Sequence, residues 1–167
     1  MGGRLLVLLR HAQAEPENGL GDADRPLAGK GRRQAADLGP LLAREVGTPD
    51  VALVSSALRT TETYKLLAAG LPGAPEPDVR PELYSAGPRG VLEVLAALPD
   101  TARRVLVVGH EPTMSSLGHL LDAERGPVAE TVAFGMSTAS AAVLEVPVRW
   151  AELDRQTARL VRLIRPE

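Results

Sequence analysis

Continuous apolar runs along the chain predict its strands. Residues 4–9, 51–54 and 103–108 are short runs of the kind that is buried on both faces of a parallel sheet. Two later stretches, residues 139–146 and 159–164, are predicted as closing strands. The predicted strands are therefore spread along the whole chain, with room for other elements between them.

Between the runs, apolar residues recur at the spacing of one helix face. This pattern predicts a helix over residues 31–46, which Gly39-Pro40 is expected to kink rather than break. Another helix is predicted over residues 58–71. Two more follow from the stripes Val91, Leu95, Leu98 and Met114, Leu117, Leu121.

Strands that alternate with helices indicate an α/β fold. We predict a three-layer sandwich, in which helices flank a mainly parallel central sheet. With 167 residues and no repeat or linker, the chain is expected to form one domain over residues 1–167. Residues 14–27, rich in Gly, Pro, Asn and Asp, are predicted as a long surface loop, and such loops usually serve function.

Composition narrows the possible partners and chemistry. A net charge of −2 gives no reason to expect nucleic acid or an anionic membrane as a partner. The absence of cysteine excludes disulfides, thiolate metal sites and a thiol nucleophile. The N-terminal apolar run is too short for a signal peptide or a membrane span, so we expect a cytoplasmic protein. We also expect a monomer.

Cationic side chains stand where predicted strands end. Three segments have this arrangement: Leu8-Leu9-Arg10-His11-Ala12, Ser55-Ser56-Ala57-Leu58-Arg59-Thr60 and Val107-Val108-Gly109-His110-Glu111-Pro112. In an open α/β sheet, ligands bind beyond the carboxyl ends of the strands. Each segment alone is more often structural than catalytic, and the interpretation rests on all three occurring in one chain.

These residue types suit phosphoryl transfer. The transferred group carries its charge on three oxygens, which must be held while the attacking atom approaches in line. Guanidinium groups fork onto two oxygens and stay charged, and a neutral imidazole can attack phosphorus. The cations should also lower the pKa of His11 and keep it unprotonated. No metal or other cofactor is required, because Arg10, Arg59 and His110 already supply positive charge.

The three segments resemble motifs of the histidine phosphatase superfamily, and most closely those of its SixA-type phosphohistidine phosphatase branch. Asp24-Arg25-Pro26-Leu27 and Gly31-Arg32-Arg33-Gln34-Ala35 are similar to the loop and helix start of that branch, and Ser137-Thr138-Ala139-Ser140 resembles the start of its late strand. The resemblance extends from about residue 4 to residue 166. It implies a phosphoglycerate mutase-like fold.

The resemblance also implies roles for individual residues. His11 would be the nucleophile in a phosphate pocket formed with Arg10, Arg59 and His110, and Arg25 would reach the phosphate from the loop. Ala12 departs from the frequent glycine of the first motif. The phosphate-contacting asparagine of many members is not transferred to Asn18, because the spacing differs.

The proton donor is the open question. Members that cleave phosphate monoesters usually carry an acidic residue for the leaving oxygen, and Glu82 falls in the corresponding region. Glu82 is predicted either as this general acid or as a structural residue of a turn. The SixA branch is thought to manage without a dedicated acid, because a protonated imidazole leaves readily.

Three functions remain open at this point. The leading hypothesis is removal of phosphate from protein phosphohistidine, with a phosphorylated protein as the partner. The alternative within the same chemistry is a phosphatase for small phosphate monoesters. A non-catalytic module that binds a phosphorylated ligand is a third, which the nucleophilic histidine beside two arginines disfavours. A dinucleotide-binding fold is excluded, because no Gly-rich turn follows the first strand.

Overall fold

A six-stranded sheet forms the centre of the protein, as seen in a computed structural model that describes residues 3–166. The strands are β1 Arg4–Arg10, β2 Val51–Ser55, β3 Asp78–Arg80, β4 Arg104–Gly109, β5 Ala141–Val146 and β6 Arg159–Ile164. Their order across the sheet is β3-β2-β4-β1-β5-β6. The pairs β3–β2, β2–β4 and β4–β1 are parallel, whereas β5 is antiparallel to both β1 and β6. The predicted mainly parallel sheet is confirmed.

Helices cover both faces of the sheet. They are α1 Gly29–Glu45, α2 Leu58–Ala68, α3 Glu82–Ser85, α4 Pro88–Ala96, α5 Thr113–Leu121 and α6 Pro127–Ala133. One core cluster joins α1 and α2 to the sheet, and the other joins α4, α5 and α6 to its opposite face. The predicted three-layer sandwich is thus observed. No helix within residues 3–166 is long and apolar enough to cross a membrane.

Strand β1 explains why its sequence is apolar without interruption. Leu6 and Leu8 pack into one core cluster, and Val7 and Leu9 pack into the other. Because successive side chains of a strand point to opposite faces, both faces must be apolar when both are covered. The central position of β1, between β4 and β5, requires this pattern.

Helix α1 continues through Pro40, as predicted. The preceding residue, Gly39, lies against α2, and a Cβ atom there would overlap the carbonyl oxygen of Leu67. Glycine therefore allows the two helix backbones to approach, which holds α2 tightly on its face of the sheet.

Several boundaries and three elements differ from the sequence-based prediction. Helix α2 ends three residues early, at Ala68, and β5 begins only at Ala141 because Ala139 has a positive φ of 60°. The pattern did not predict β3, α3 or α6. Strand β3 is a short, mostly exposed edge strand, and α6 buries only Ala129 and Val132, so neither has a recognisable apolar period.

Candidate active site

Three parallel strands end at the same edge of the sheet and bring the predicted segments together. In the register of β1 and β4, Arg10 lies opposite Gly109, so His11 and His110 both follow directly. Strand β2 pairs with the other side of β4 and ends at Ser55. The rings of His11 and His110 are 5.4 Å apart between centroids.

Main-chain contacts orient the imidazole of His11. Its Nδ1 lies 2.7 Å from the carbonyl oxygen of Ala12, which can only accept, so Nδ1 carries the proton and donates. The lone pair is therefore on Nε2. The N–H of Ala12 in turn donates to the hydroxyl of Thr63 at 3.0 Å. This hydrogen bond holds the main chain at Ala12, and with it the carbonyl that binds His11.

Burial keeps His11 neutral. The pKa of His11 is lowered from 6.5 to about 4, chiefly by desolvation, with further contributions from the charges of His110, Arg59 and Arg10, while the Ala12 hydrogen bond opposes the shift. At neutral pH the ring is neutral, with the proton on Nδ1 and a free lone pair on Nε2.

His110 lies between a hydroxyl and a guanidinium. Its Nε2 is 2.7 Å from Oγ of Ser55, and its Nδ1 is 3.4 Å from Nη2 of Arg59. Burial, followed by the charge of Arg59, lowers the pKa of His110 to about 4. Since a guanidinium can only donate, Nδ1 of the neutral ring accepts from Arg59, and Nε2 carries the proton and donates to the Ser55 hydroxyl.

The two predicted arginines are held by the main chain. Nη1 of Arg10 donates to the carbonyl oxygen of Met136 at 2.8 Å, and Nη1 of Arg59 donates to that of Asp22 at 2.8 Å. The Nε–H groups of both arginines are buried and have no partner within the described chain, a feature that Arg4 and Arg104 share elsewhere. Two oriented guanidinium groups beside a neutral imidazole can bind an oxyanion and present it to a nucleophile.

Comparisons with known proteins agree with this geometry. The sequence model of the histidine phosphatase superfamily (branch 1) matches residues 6–86. The SixA protein of Nakamurella multipartitia has a structure with a TM-score of 0.87 and 32% identity, covering 99% of this chain and 98% of that one. This chain belongs to the histidine phosphatase superfamily.

Two further relatives extend the family match. An uncharacterised protein of Mycobacterium tuberculosis is 35% identical over 156 residues, which cover 92% of this histidine phosphatase and 96% of that protein. The structure of SixA from Agrobacterium tumefaciens has a TM-score of 0.80 and 26% identity, covering 98% and 99% of the two chains. The predicted resemblance to the SixA branch is confirmed, and so is the phosphoglycerate mutase-like fold.

Arg25 of this histidine phosphatase lies at the rim, where it contacts the loop. Its Nε donates to the carbonyl oxygen of Glu15 at 2.8 Å, and its Nη1 pairs with Oδ1 of Asp22 at 3.0 Å. The same carboxylate pairs with Nη2 of Arg59 at 3.0 Å through Oδ2. Arg25 and Arg59 therefore bind the two oxygens of one carboxylate, that of Asp22.

The structure does not bring the carboxylate of Glu82 to the histidines. It is exposed and pairs with Nη1 of Arg80 at 2.9 Å. A hydrogen bond from its own main-chain N–H, followed by Arg80, lowers the pKa of Glu82. The side chain of the same segment that faces the site is Tyr84, whose ring lies edge-on to His110 with 5.6 Å between centroids.

Sequence reasoning gave no role to Asp22, Tyr84, Ser55 or Glu111, all of which support the site. Glu111 links two motifs: its Oε1 accepts from the N–H of Ser115, at the start of α5, and its Oε2 accepts from the N–H of Met136. The Met136 carbonyl then binds Arg10. For these four residues, the one sequence signal of a role at the site was the position of Glu111 next to His110. Among residues 3–166, no cluster of His, Asp or Glu side chains is placed to hold a metal ion.

Proposed function

We propose that this phosphatase removes phosphate from protein phosphohistidine through a phosphohistidine intermediate on His11. The observation that carries the proposal is the hydrogen bond from Nδ1 of His11 to the Ala12 carbonyl, which leaves the Nε2 lone pair beside two guanidinium groups and a second imidazole. A histidine that only bound a phosphate would need to donate from this nitrogen.

The proposed reaction has two displacements at phosphorus. In the first, Nε2 of His11 attacks, the bond from phosphorus to the leaving group breaks, and Arg10 and Arg59 hold the three oxygens. His110 stays beside Arg59, with its Nδ1 accepting from Nη2 of Arg59 and its Nε2 donating to the Ser55 hydroxyl. In the second, water attacks phosphorus, the bond to Nε2 breaks, and phosphate is released. Arg25 adds a further contact to the phosphoryl group from the rim.

The substrate is inferred from the leaving group that the site can serve. An alkoxide requires a proton, whereas the imidazole of a protonated phosphohistidine departs as a neutral ring. The pKa values of Asp22 and Glu82 are both lowered, so neither carboxyl holds a proton at neutral pH. This supports a phosphorus–nitrogen bond as the substrate, as do the names of the two SixA proteins, which refer to phosphohistidine. Glu82 as a proton donor stays a prediction.

A substrate panel tests the proposal. Wild type, His11→Ala and the control His119→Ala are each incubated with a phosphohistidine protein, a small phosphoramidate and common phosphate monoesters. We expect wild type and the control to cleave the phosphohistidine protein fastest, and His11→Ala to be folded and inactive. Wild type should also acquire an acid-labile, alkali-stable phosphoryl label. Faster cleavage of monoesters would favour the alternative substrate class, and wild-type rates in His11→Ala would refute the covalent route.

A further inference from the structure

The carboxylate of Asp22 connects three side chains at the active site, those of Arg25, Arg59 and Tyr84. Oδ2 of Asp22 accepts from Nη2 of Arg59 at 3.0 Å and from the hydroxyl of Tyr84 at 2.6 Å, and Oδ1 accepts from Nη1 of Arg25 at 3.0 Å. The hydrogen bond from Tyr84, followed by those from Arg25 and Arg59, lowers the pKa of Asp22 well below its usual range. This carboxylate is ionised at every working pH.

His11 is buried, whereas Asp22 and Tyr84 are exposed to solvent. Burial is the largest cause of the lowered pKa of His11, and the charges of His110, Arg59 and Arg10 lower it further. The charge of Asp22 acts on His110 and raises its pKa. Tyr84, which holds the carboxylate, contacts the ring of His110. In an in-line displacement the leaving group departs opposite the attacking atom, so attack by the buried His11 would send it outward, to the exposed side of the site where Asp22 and Tyr84 lie.

We propose that Asp22, oriented by Tyr84, is the residue that selects the leaving group, favouring the protonated imidazole of phosphohistidine over an alkoxide. The proposal deepens the proposed function and rests on it. Asp22 would contact the leaving ring, and Tyr84 would act through Asp22 as a positioning residue. The placement of the Tyr84 hydroxyl and the Asp22 carboxylate on the exposed side of the site, while His11 is buried, carries the inference.

The charges along the reaction explain the preference. A phosphoimidazole protonated on its distal nitrogen is a cation, and a neighbouring carboxylate stabilises that form, which is the form with the good leaving group. When Nε2 of His11 attacks, the phosphorus–nitrogen bond breaks and its electron pair returns to the ring. The ring keeps its proton and departs neutral. An alkoxide would instead develop negative charge beside Asp22, and the carboxylate has no proton to give it.

The test compares Asp22→Asn with wild type on two substrates, a phosphohistidine peptide and an alkyl phosphate monoester. Asparagine keeps one acceptor oxygen, and the main-chain carbonyl of residue 22 still holds Arg59. We expect the ratio of kcat/KM for the peptide to that for the monoester to fall about 3- to 10-fold, as expected for one half-exposed charge. Asp24→Asn, in the same short helix Asp22–Asp24, is the matched control and should keep the wild-type ratio.

The pH profile and the salt dependence separate selectivity from simple loss of structure. With the peptide, the alkaline limb of kcat/KM in Asp22→Asn should move to lower pH by roughly 0.5 to 1 unit, because less of the substrate ring is protonated. The difference between wild type and variant should shrink as salt is raised. Tyr84→Phe should shift the same limb in the same direction by less.

Three outcomes overturn the inference. Equal losses on both substrates would mean that Asp22 only orients the arginines. An unchanged ratio with an unchanged pH limb would mean that its charge is not felt by the leaving group. A wild-type enzyme that cleaves only the monoester would refute the proposed function itself, and the inference with it; this result is visible before any variant is measured.

Discussion

The buried, neutral histidines predict a loss of stability in mild acid. In the unfolded chain His11 and His110 titrate near 6.5, whereas folding lowers the pKa of each to about 4. Between these values the unfolded state binds more protons than the folded state, so stability falls as pH falls. The stability is therefore at its full value above about pH 6.5, and it decreases progressively as the pH is lowered toward 4.

The size of the effect follows from these pKa values. Moving from pH 7.5 to pH 5.5 costs about 1.3 kcal/mol for each fully buried histidine. Because His110 is partly exposed, screening by solvent reduces its share, and we expect roughly 2 kcal/mol for the pair. That is a large fraction of the total stability of a small domain, typically about 5–15 kcal/mol.

Urea unfolding followed by tryptophan fluorescence measures this difference directly. Trp150 is the only tryptophan, is fully buried and donates from Nε1 to the carbonyl of Ala102, so its emission should report global unfolding. The buffers must lack phosphate, since an anion that binds the folded state would stabilise it. His11→Gln should lose only about a third as much stability between the two pH values as wild type does.

Two results would refute this reasoning. Wild type could keep its full stability at pH 5.5, in which case the histidines are not held neutral. Alternatively, His11→Gln could retain the whole pH dependence, in which case other groups cause it.

Three further predictions concern the reaction. Activity should survive EDTA, because guanidinium and imidazole groups supply the charge; loss on chelation and recovery with a divalent ion would contradict this. Orthovanadate and inorganic phosphate should inhibit competitively, and a crystal soaked in either should hold the anion between Arg10, Arg59 and His110 rather than elsewhere. Glu82→Gln should barely change cleavage of a phosphoramidate. Loss of a general acid would instead lower the rate by about 10²–10⁴-fold. A loss of that size on both the phosphoramidate and a phosphate monoester would establish Glu82 as an obligatory acid.

The sequence predicted the frame of the molecule well because its central strands are buried on both faces. Such strands must be apolar throughout, so their ends, and the residues that follow them, are recognisable. His11 and His110 were located in this way. Arg59 was predicted from its motif, and the structure places its guanidinium beside His110.

The loop side of the site was harder to predict, for a physical reason. Asp22 belongs to a three-residue helix that buries none of its residues and has no apolar period. Its partners Arg59 and Tyr84 are 37 and 62 residues away along the chain. Tyr84 lies on a four-residue helix that buries only Leu83, so no periodicity showed which of its side chains would face inward. Glu82 and Tyr84 are two residues apart, and only the fold distinguishes them.

The link through Glu111 constrains how the active site can be altered. The glutamate belongs to the segment of His110, yet through Met136 it fixes the guanidinium of Arg10. Grafting the Arg10-His11 pair onto another parallel sheet would therefore transfer the nucleophile without the support of its neighbour. A successful transplant would have to include the turn before β5 and the start of α5, because Arg10 is anchored by Met136, 126 residues downstream.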